Sequence, residues 1–219
     1  GDTEQGALVF EIPSHADLRQ GTVEFWFRPS WGSGERALHT LFHIKLRGGP
    51  WNSIWLGYHG TIGPDTEAFG ANIMDGLDHP AYLCDAKPLN WKPEEWHHIA
   101  CTWADQTEWV FVDGKLIAQY VTDIPFISHP TEGEISIGGP FRAKAPTAGG
   151  FIDELRFCNV PLYTPDDPPD PFRRVGTDLG LGLASLSRGA VATADGTAAP
   201  QQMDQDVPVL HDGVYGVTA

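Results

Sequence analysis

The chain has 219 residues, 41% of them hydrophobic, which is enough to bury a substantial core, and all-β domains of this length commonly form one unit. It carries 29 acidic residues against 14 basic ones, a formal charge of −15, which repels polyanions and argues against a nucleic-acid partner. No run of about eighteen apolar residues occurs, so no membrane-spanning segment is expected.

Ala7 to Ile12 reads as an opening strand, broken by Pro13 and Ser14. Thr22 to Arg28 alternates, with Val23, Phe25 and Phe27 on one face and Thr22, Glu24, Trp26 and Arg28 on the other. His39 to Leu46 divides into Thr40, Phe42, Ile44 and Leu46 against His39, Leu41, His43 and Lys45. After a turn at Gly48-Gly49-Pro50-Trp51-Asn52, Ser53 to His59 sets Ile54, Leu56 and Tyr58 against Trp55, Gly57 and His59. Phe69 to Asp75 and Ala81 to Ala86 are shorter strands joined through Gly76 to Pro80.

Trp96 to Trp103, Glu108 to Val112 and Lys115 to Ala118 read as three antiparallel strands. The last two meet at Asp113-Gly114, the dipeptide suited to a type I′ turn whose central residues both need positive φ. Glu134 to Gly139 follows a loop at 125–133, and Gly149 to Cys158 is the closing strand. No helical stretch emerges. Strands separated by Gly, Pro, Asn and Asp breaks mark a sandwich or jelly roll. Composition changes at Tyr163-Thr164-Pro165-Asp166-Asp167-Pro168-Pro169-Asp170-Pro171, a proline-rich acidic run that reads as a linker or an extended strap.

Three passages, in the right order and spacing, carry a family resemblance. They are Gly21-Thr22-Val23-Glu24-Phe25-Trp26-Phe27-Arg28-Pro29, then Trp96-His97-His98-Ile99-Ala100 with Val112-Asp113-Gly114-Lys115-Leu116, then Gly150-Phe151-Ile152-Asp153-Glu154-Leu155-Arg156-Phe157. They resemble the signature strands of laminin-G-like members of the concanavalin A-like lectin/glucanase superfamily. The resemblance implies an all-β fold, a concanavalin A-like jelly-roll sandwich of two antiparallel sheets spanning residues 1–163, with 164–219 as a C-terminal extension. That tail either packs on the sandwich or begins a second β module. Leu186 to Ala194 and Leu210 to Gly216 faintly resemble the start of a discoidin-like galactose-binding domain.

Cys84, Cys101 and Cys158 are an odd number without Cys-x-x-Cys spacing, so neither a disulfide framework nor a zinc site is expected. Cys101 and Cys158 fall inside strands and read as small buried hydrophobes. One bridge between two of the three stays open, since the fold suits an exported protein. His39 and His43, four apart on a strand, lie roughly 13 Å from one another, too far to share a metal ion.

Glucanases of the superfamily carry a Glu-x-Asp-x-x-Glu strand, because hydrolysis needs two carboxylates flanking the bond, about 5 Å apart for retention. This chain has no such strand, and no nucleophile elbow, phosphate loop or dinucleotide fingerprint. Catalysis is therefore not expected, although acids from separate strands would still allow a glycosidase or lyase. By resemblance, Asp153 is a structural Ca²⁺ ligand together with backbone carbonyls near the N-terminus. Alternatively it caps a backbone bend or pairs with Arg156.

Eight tryptophans are many for this length. Trp96 and Trp103 are assigned to the core, whereas Trp26 and Trp55 fall on the non-core faces of their strands. Sugar rings stack an apolar face on indole while their hydroxyls need polar partners around the rim. Glu24, Trp26, Arg28, His43, Trp55 and His59 are the expected ligand-binding set, placed together on a concave sheet. The expected function is a non-catalytic carbohydrate-binding (lectin-like) module that docks onto a polysaccharide or other glycan. It would belong to a larger multidomain exported protein that is secreted, cell-surface or periplasmic, its leader removed or the piece excised from a longer chain. The alternative is a protein-interaction or structural module.

Overall fold

The computed structural model describes residues 7–12, 18–46, 52–60, 68–75, 82–85, 89–122, 132–139, 147–171 and 215–217. Alternating apolar residues in these segments form strands β1 (Leu8–Glu11), β2 (Gly21–Pro29), β3 (His39–Leu46), β4 (Asn52–His59), β5 (Ala68–Asp75), β6 (Tyr82–Asp85), β7 (His97–Ala104), β8 (Thr107–Val112), β9 (Lys115–Val121), β10 (Gly133–Ile137), β11 (Gly150–Cys158) and β12 (Tyr215–Val217). They make two six-stranded sheets: sheet I in the order β1-β10-β3-β4-β5-β6, and sheet II in the order β12-β11-β2-β7-β8-β9. Every strand pairing is antiparallel. The all-β sandwich of two antiparallel sheets is therefore as the sequence implies, and all three signature passages fall in neighbouring strands of sheet II.

The sheets meet through one apolar core. Val23, Phe25 and Phe27 of β2 and Ile99, Cys101 and Trp103 of β7 pack with Phe42, Ile44, Ile54, Leu56 and Ile135 of sheet I. Burying a side chain of this size contributes roughly 1.5–3 kcal/mol, which fixes the strand register, because a slip of one residue would turn every one of these groups outward. The hairpin residues Asp113 and Gly114 have φ of 50° and 75°, as a type I′ turn requires. Asp105 and Gln106, joining β7 to β8, also have positive φ, of 46° and 68°.

β3 departs from strict alternation. A register shift between Thr40 and Phe42 breaks its pairing with β4. The expected grouping of His39 with His43 is therefore corrected. His39 stacks on Trp31 with ring centroids 4.5 Å apart, and its Nδ1 lies 2.9 Å from the Thr147 carbonyl. Thr40 turns instead to the opposite side, where its Oγ1 accepts the Trp55 indole N–H at 3.0 Å. Burial lowers the pKa of His39, against the pull of the Thr147 carbonyl.

Cys101 and Cys158 are both buried free thiols. A bridge among three cysteines would need at least one of them, so the disulfide alternative is excluded. The turn at 47–51, the 13–17 segment, most of the tail (172–214) and the discoidin-like stretch 186–194 lie outside the described residues.

Beyond β11 the proline-rich run lies across the outer face of sheet II. Thr22 Oγ1 donates to the Val160 carbonyl at 2.9 Å and accepts the Leu162 N–H at 2.9 Å. The strap then passes Phe111, whose ring meets that of Tyr163, and reaches the hairpin turn. There a Cβ on Gly114 would stand 2.9 Å from the Pro169 carbonyl. As far as residue 171 the run lies against this face.

Candidate functional site

The six expected ligand-binding residues lie on the outer faces of different sheets. Glu24, Trp26 and Arg28 alternate with core residues of β2 in sheet II, while His43, Trp55 and His59 belong to β3 and β4 in sheet I. A single groove holding all six is therefore corrected to two separate faces pointing away from each other.

On sheet I the cross-strand row runs Ser136, His43, Trp55, Asn72. The Trp55 indole lies down over Gly57, where an added Cβ would come within 2.5 Å of the ring. Its edge meets His59 at 4.6 Å between centroids. Trp55 is only 2% exposed and His43 is buried beside it. Burial, with some help from Lys45, lowers the His43 pKa to about 4, so the imidazole is neutral at pH 7. Ser53 Oγ and Asn72 Oδ1 are also buried here, without hydrogen-bond partners among the described residues, which is a setting for ordered water. Trp55 does not look outward, so it offers no bare indole face to a sugar in this conformation.

Among the described residues, the strap covers one half of the outer face of sheet II, and the other half is partly exposed. In the covered half, Arg156 stands opposite Glu24 across β11 and β2. Arg156 Nη2 forms an ion pair with Glu24 Oε1, and the Tyr163 hydroxyl donates to Glu24 Oε2 at 2.5 Å while accepting from Arg156 Nη2 at 2.6 Å. Burial, then the charge on Glu24, raises the Tyr163 pKa, so the hydroxyl keeps its proton as the bond to Glu24 requires. Glu24 is buried by this arrangement. It anchors the strap and is not open to a ligand.

In the open half, Asp153, Trp26 and His98 form one cross-strand row. Phe151 and Arg28 form the next, with Trp96 following on just ahead of β7. Trp26 and Phe151 are partly exposed and Trp96 is 38% exposed, so Trp96 is not the core residue the sequence suggested. The Arg28 guanidinium sits 4.5 Å from the Phe151 ring centroid and 5.4 Å from that of Trp96, and pairs with Glu94 at 3.2 Å. Trp26 meets His98 edge to face at 5.4 Å, and His98 Nε2 lies 3.6 Å from Glu24 Oε2. Burial lowers the His98 pKa, although Glu24 and Asp113 oppose it. Phe151 and Glu94 were not picked out from sequence. Phe151 could have been found from its register opposite Arg28, but Glu94 sits in a loop and gives no periodic signal.

Asp153 Oδ1 accepts the Glu154 N–H at 2.8 Å, and Glu154 has φ of 50° where the register of β11 against β2 shifts. The carboxylate thus caps a backbone bend, one of its two alternative roles. Calcium takes six to eight oxygens. Among the described residues no three His, Cys, Asp or Glu side chains gather into a metal site.

Solved structures share this architecture. The CBM40 of Ruminococcus gnavus IT-sialidase, in complex with α2,3-sialyllactose, is similar at a TM-score of 0.52 and 18% identity, over 68% of this chain and 80% of that one. The leech intramolecular trans-sialidase gives 0.52 and 18%, over 68% of this chain and 23% of that one. The enzymatically active domain of bacteriophage CBA120 tailspike protein 2 gives 0.53 and 15%, over 69% and 24%. At such identities the likeness establishes the fold. No curated protein matches the sequence significantly. Residues 2–166 match a laminin G family model described as concanavalin A-like lectin/glucanases superfamily, and with both sheets and the signature strands in place the chain belongs to that family.

Proposed function

We propose that this domain is a non-catalytic carbohydrate-binding module and that its glycan site is the open half of sheet II. The observation that carries the reading is the accessible aromatic set Trp26, Trp96 and Phe151, gathered around Arg28 and flanked by Asp153 and Glu94. Ring faces take the apolar side of a sugar, and the carboxylates and guanidinium hydrogen-bond its hydroxyls. The CBM40 neighbour, solved with sialyllactose, supports glycan binding as a use of this fold. Its place in a sialidase, and the 23% share of the leech enzyme that the match covers, support a module within a larger protein. Among the described residues no helix is long and apolar enough to cross a membrane, which is compatible with that setting.

The non-catalytic reading is supported by three carboxylates of this face. Glu24 is closed in by Arg156 and Tyr163, Asp153 caps a bulge, and Glu94 holds Arg28. Each of the three is engaged in a structural contact, which disfavours its use as the acid or nucleophile of glycoside hydrolysis. A calcium ion at Asp153 would draw its remaining oxygens from backbone carbonyls.

The test is glycan-array and affinity-gel binding of the parent, Trp26→Ala and Trp96→Ala, with circular dichroism to confirm folding. Folded variants that lose about tenfold or more in affinity support the site. Both variants binding like the parent would remove it. A protein-interaction module is the second reading. It is favoured by the same cluster, because exposed Trp and Arg side chains dominate binding energy at protein interfaces. A protein ligand competing at this face while no glycan binds would favour it.

A further inference from the structure

Resting on the glycan-binding reading above, we propose that the open half of sheet II selects uncharged glycans and discriminates against sialylated or uronate-bearing ones. Recognition of a sugar carboxylate calls for a free cation, best an arginine presenting two N–H groups side by side. Among the described residues, the cations around this face each face a carboxylate. Arg28 Nη1 holds Glu94 at 3.2 Å, its guanidinium carbon lies over the Phe151 and Trp96 rings, and its Nε is buried, without a hydrogen-bond partner among the described residues. Lys92, in the loop that carries Glu94, holds Glu95 at 3.3 Å. Arg156 is committed to Glu24 and Tyr163 beneath the strap.

His98 adds no positive charge, because burial keeps it neutral at pH 7. Asp153, partly exposed, and Glu154, exposed, add two further carboxylates at the β11 side of the face. Among the described residues, Arg28, Lys92 and Arg156 stand against Glu24, Glu94, Glu95, Asp153 and Glu154, so this part of the patch is net negative. The whole chain, at −15, adds a longer-range repulsion of anionic ligands. Hydroxyl groups suit such a surface, since they donate to carboxylates and carry no charge to be repelled.

The experiment is an array bearing neutral oligosaccharides beside their sialylated and uronate-bearing counterparts, probed with the parent and with Glu94→Gln at low and high salt. The expected result is binding of neutral members, with acidic counterparts about tenfold weaker or worse. That gap should narrow as salt screens the repulsion. It should narrow further in Glu94→Gln, where the Arg28 guanidinium edge is released. Acidic counterparts bound as tightly as neutral ones, or more tightly, by the parent would overturn the proposal and leave glycan binding intact. A gap indifferent to both salt and Glu94→Gln would overturn the charge argument. Failure to bind any glycan would overturn this inference together with the proposed function.

Discussion

Replacing Tyr163 by Phe removes a single oxygen, and that oxygen ties the strap to sheet II. The hydroxyl donates to Glu24 Oε2 at 2.5 Å and accepts from Arg156 Nη2 at 2.6 Å. Both partners are charged, and hydrogen bonds to charged groups contribute about 1.5–3 kcal/mol each. Tyr163 is only partly buried, and in the variant Glu24 is still held by Arg156. The loss should therefore fall below the sum of two such bonds, at about 2 kcal/mol. Glu24→Gln removes the charge shared by both contacts and leaves a nearly buried guanidinium short of its partner, costing on the order of 3 kcal/mol. If the two bonds act as one unit, the double variant should be less damaged than the sum by about 1.5 kcal/mol. Urea unfolding followed by far-ultraviolet circular dichroism measures all three, provided the m-values stay equal. Limited proteolysis within residues 159–171 reports separately on local release of the strap. A Tyr163→Phe variant within about 0.5 kcal/mol of the parent, with no coupling to Glu24→Gln, would refute the latch.

Acid should weaken the fold through His43. Its pKa is near 4 when folded against 6.5 otherwise, so its contribution is complete above pH 6.5 and is lost as pH falls from there towards 4, by on the order of 3 kcal/mol. Stability curves between pH 7 and 4 should be shallower for His43→Gln, and equal slopes would contradict the assignment. Gly57→Ala should destabilise by about 1–3 kcal/mol, read as a lower melting temperature, because its Cβ would stand 2.2 Å from the His39 carbonyl and 2.5 Å from the Trp55 ring. A Gly57→Ala protein as stable as the parent would mean that Trp55 does not lie over this glycine. If Asp153 serves only as a cap, millimolar CaCl₂ or EDTA should leave the melting temperature unchanged. A calcium-dependent rise that Asp153→Asn abolishes would restore the metal role.

Sheet II was nearly all legible because its five longer strands announce themselves twice, by alternation and by signature passages that turn out to be neighbours in space. Val23, Phe25 and Phe27 face inward as read, and Asp113-Gly114 turns the hairpin as its composition demands. Sheet I had alternation alone, and there a single extra residue was enough to mislead. The register shift after Thr40 sent His39 to Trp31, and no periodic pattern could have announced it. Trp31 and Trp91 were equally hidden, since loop residues have no period. Yet both join the core, Trp31 donating to the Ala148 carbonyl at 2.7 Å and Trp91 stacking on His97 at 4.6 Å.

The site was less legible than the fold for a different reason. Alternation tells which side of a sheet a residue takes, and it placed Glu24, Trp26 and Trp55 correctly on non-core faces. What then covers that face is decided by chain arriving from far away. Glu24 and Trp26 are two residues apart on one strand face, with the same periodic signal. Glu24 is closed off because Tyr163, 139 residues later, delivers a hydroxyl to it, while the strap continues towards Gly114. Trp55 is sealed partly from within its own sheet, where Gly57 leaves the indole room to lie down and Thr40 fixes its N–H. An indole with a vacant glycine two residues ahead on the same face can fold flat against its strand. One followed by Arg28, whose guanidinium fills that position against Phe151, cannot. The residue two places ahead is therefore a local cue to whether a non-core tryptophan stays available, and here it separates Trp26 from Trp55.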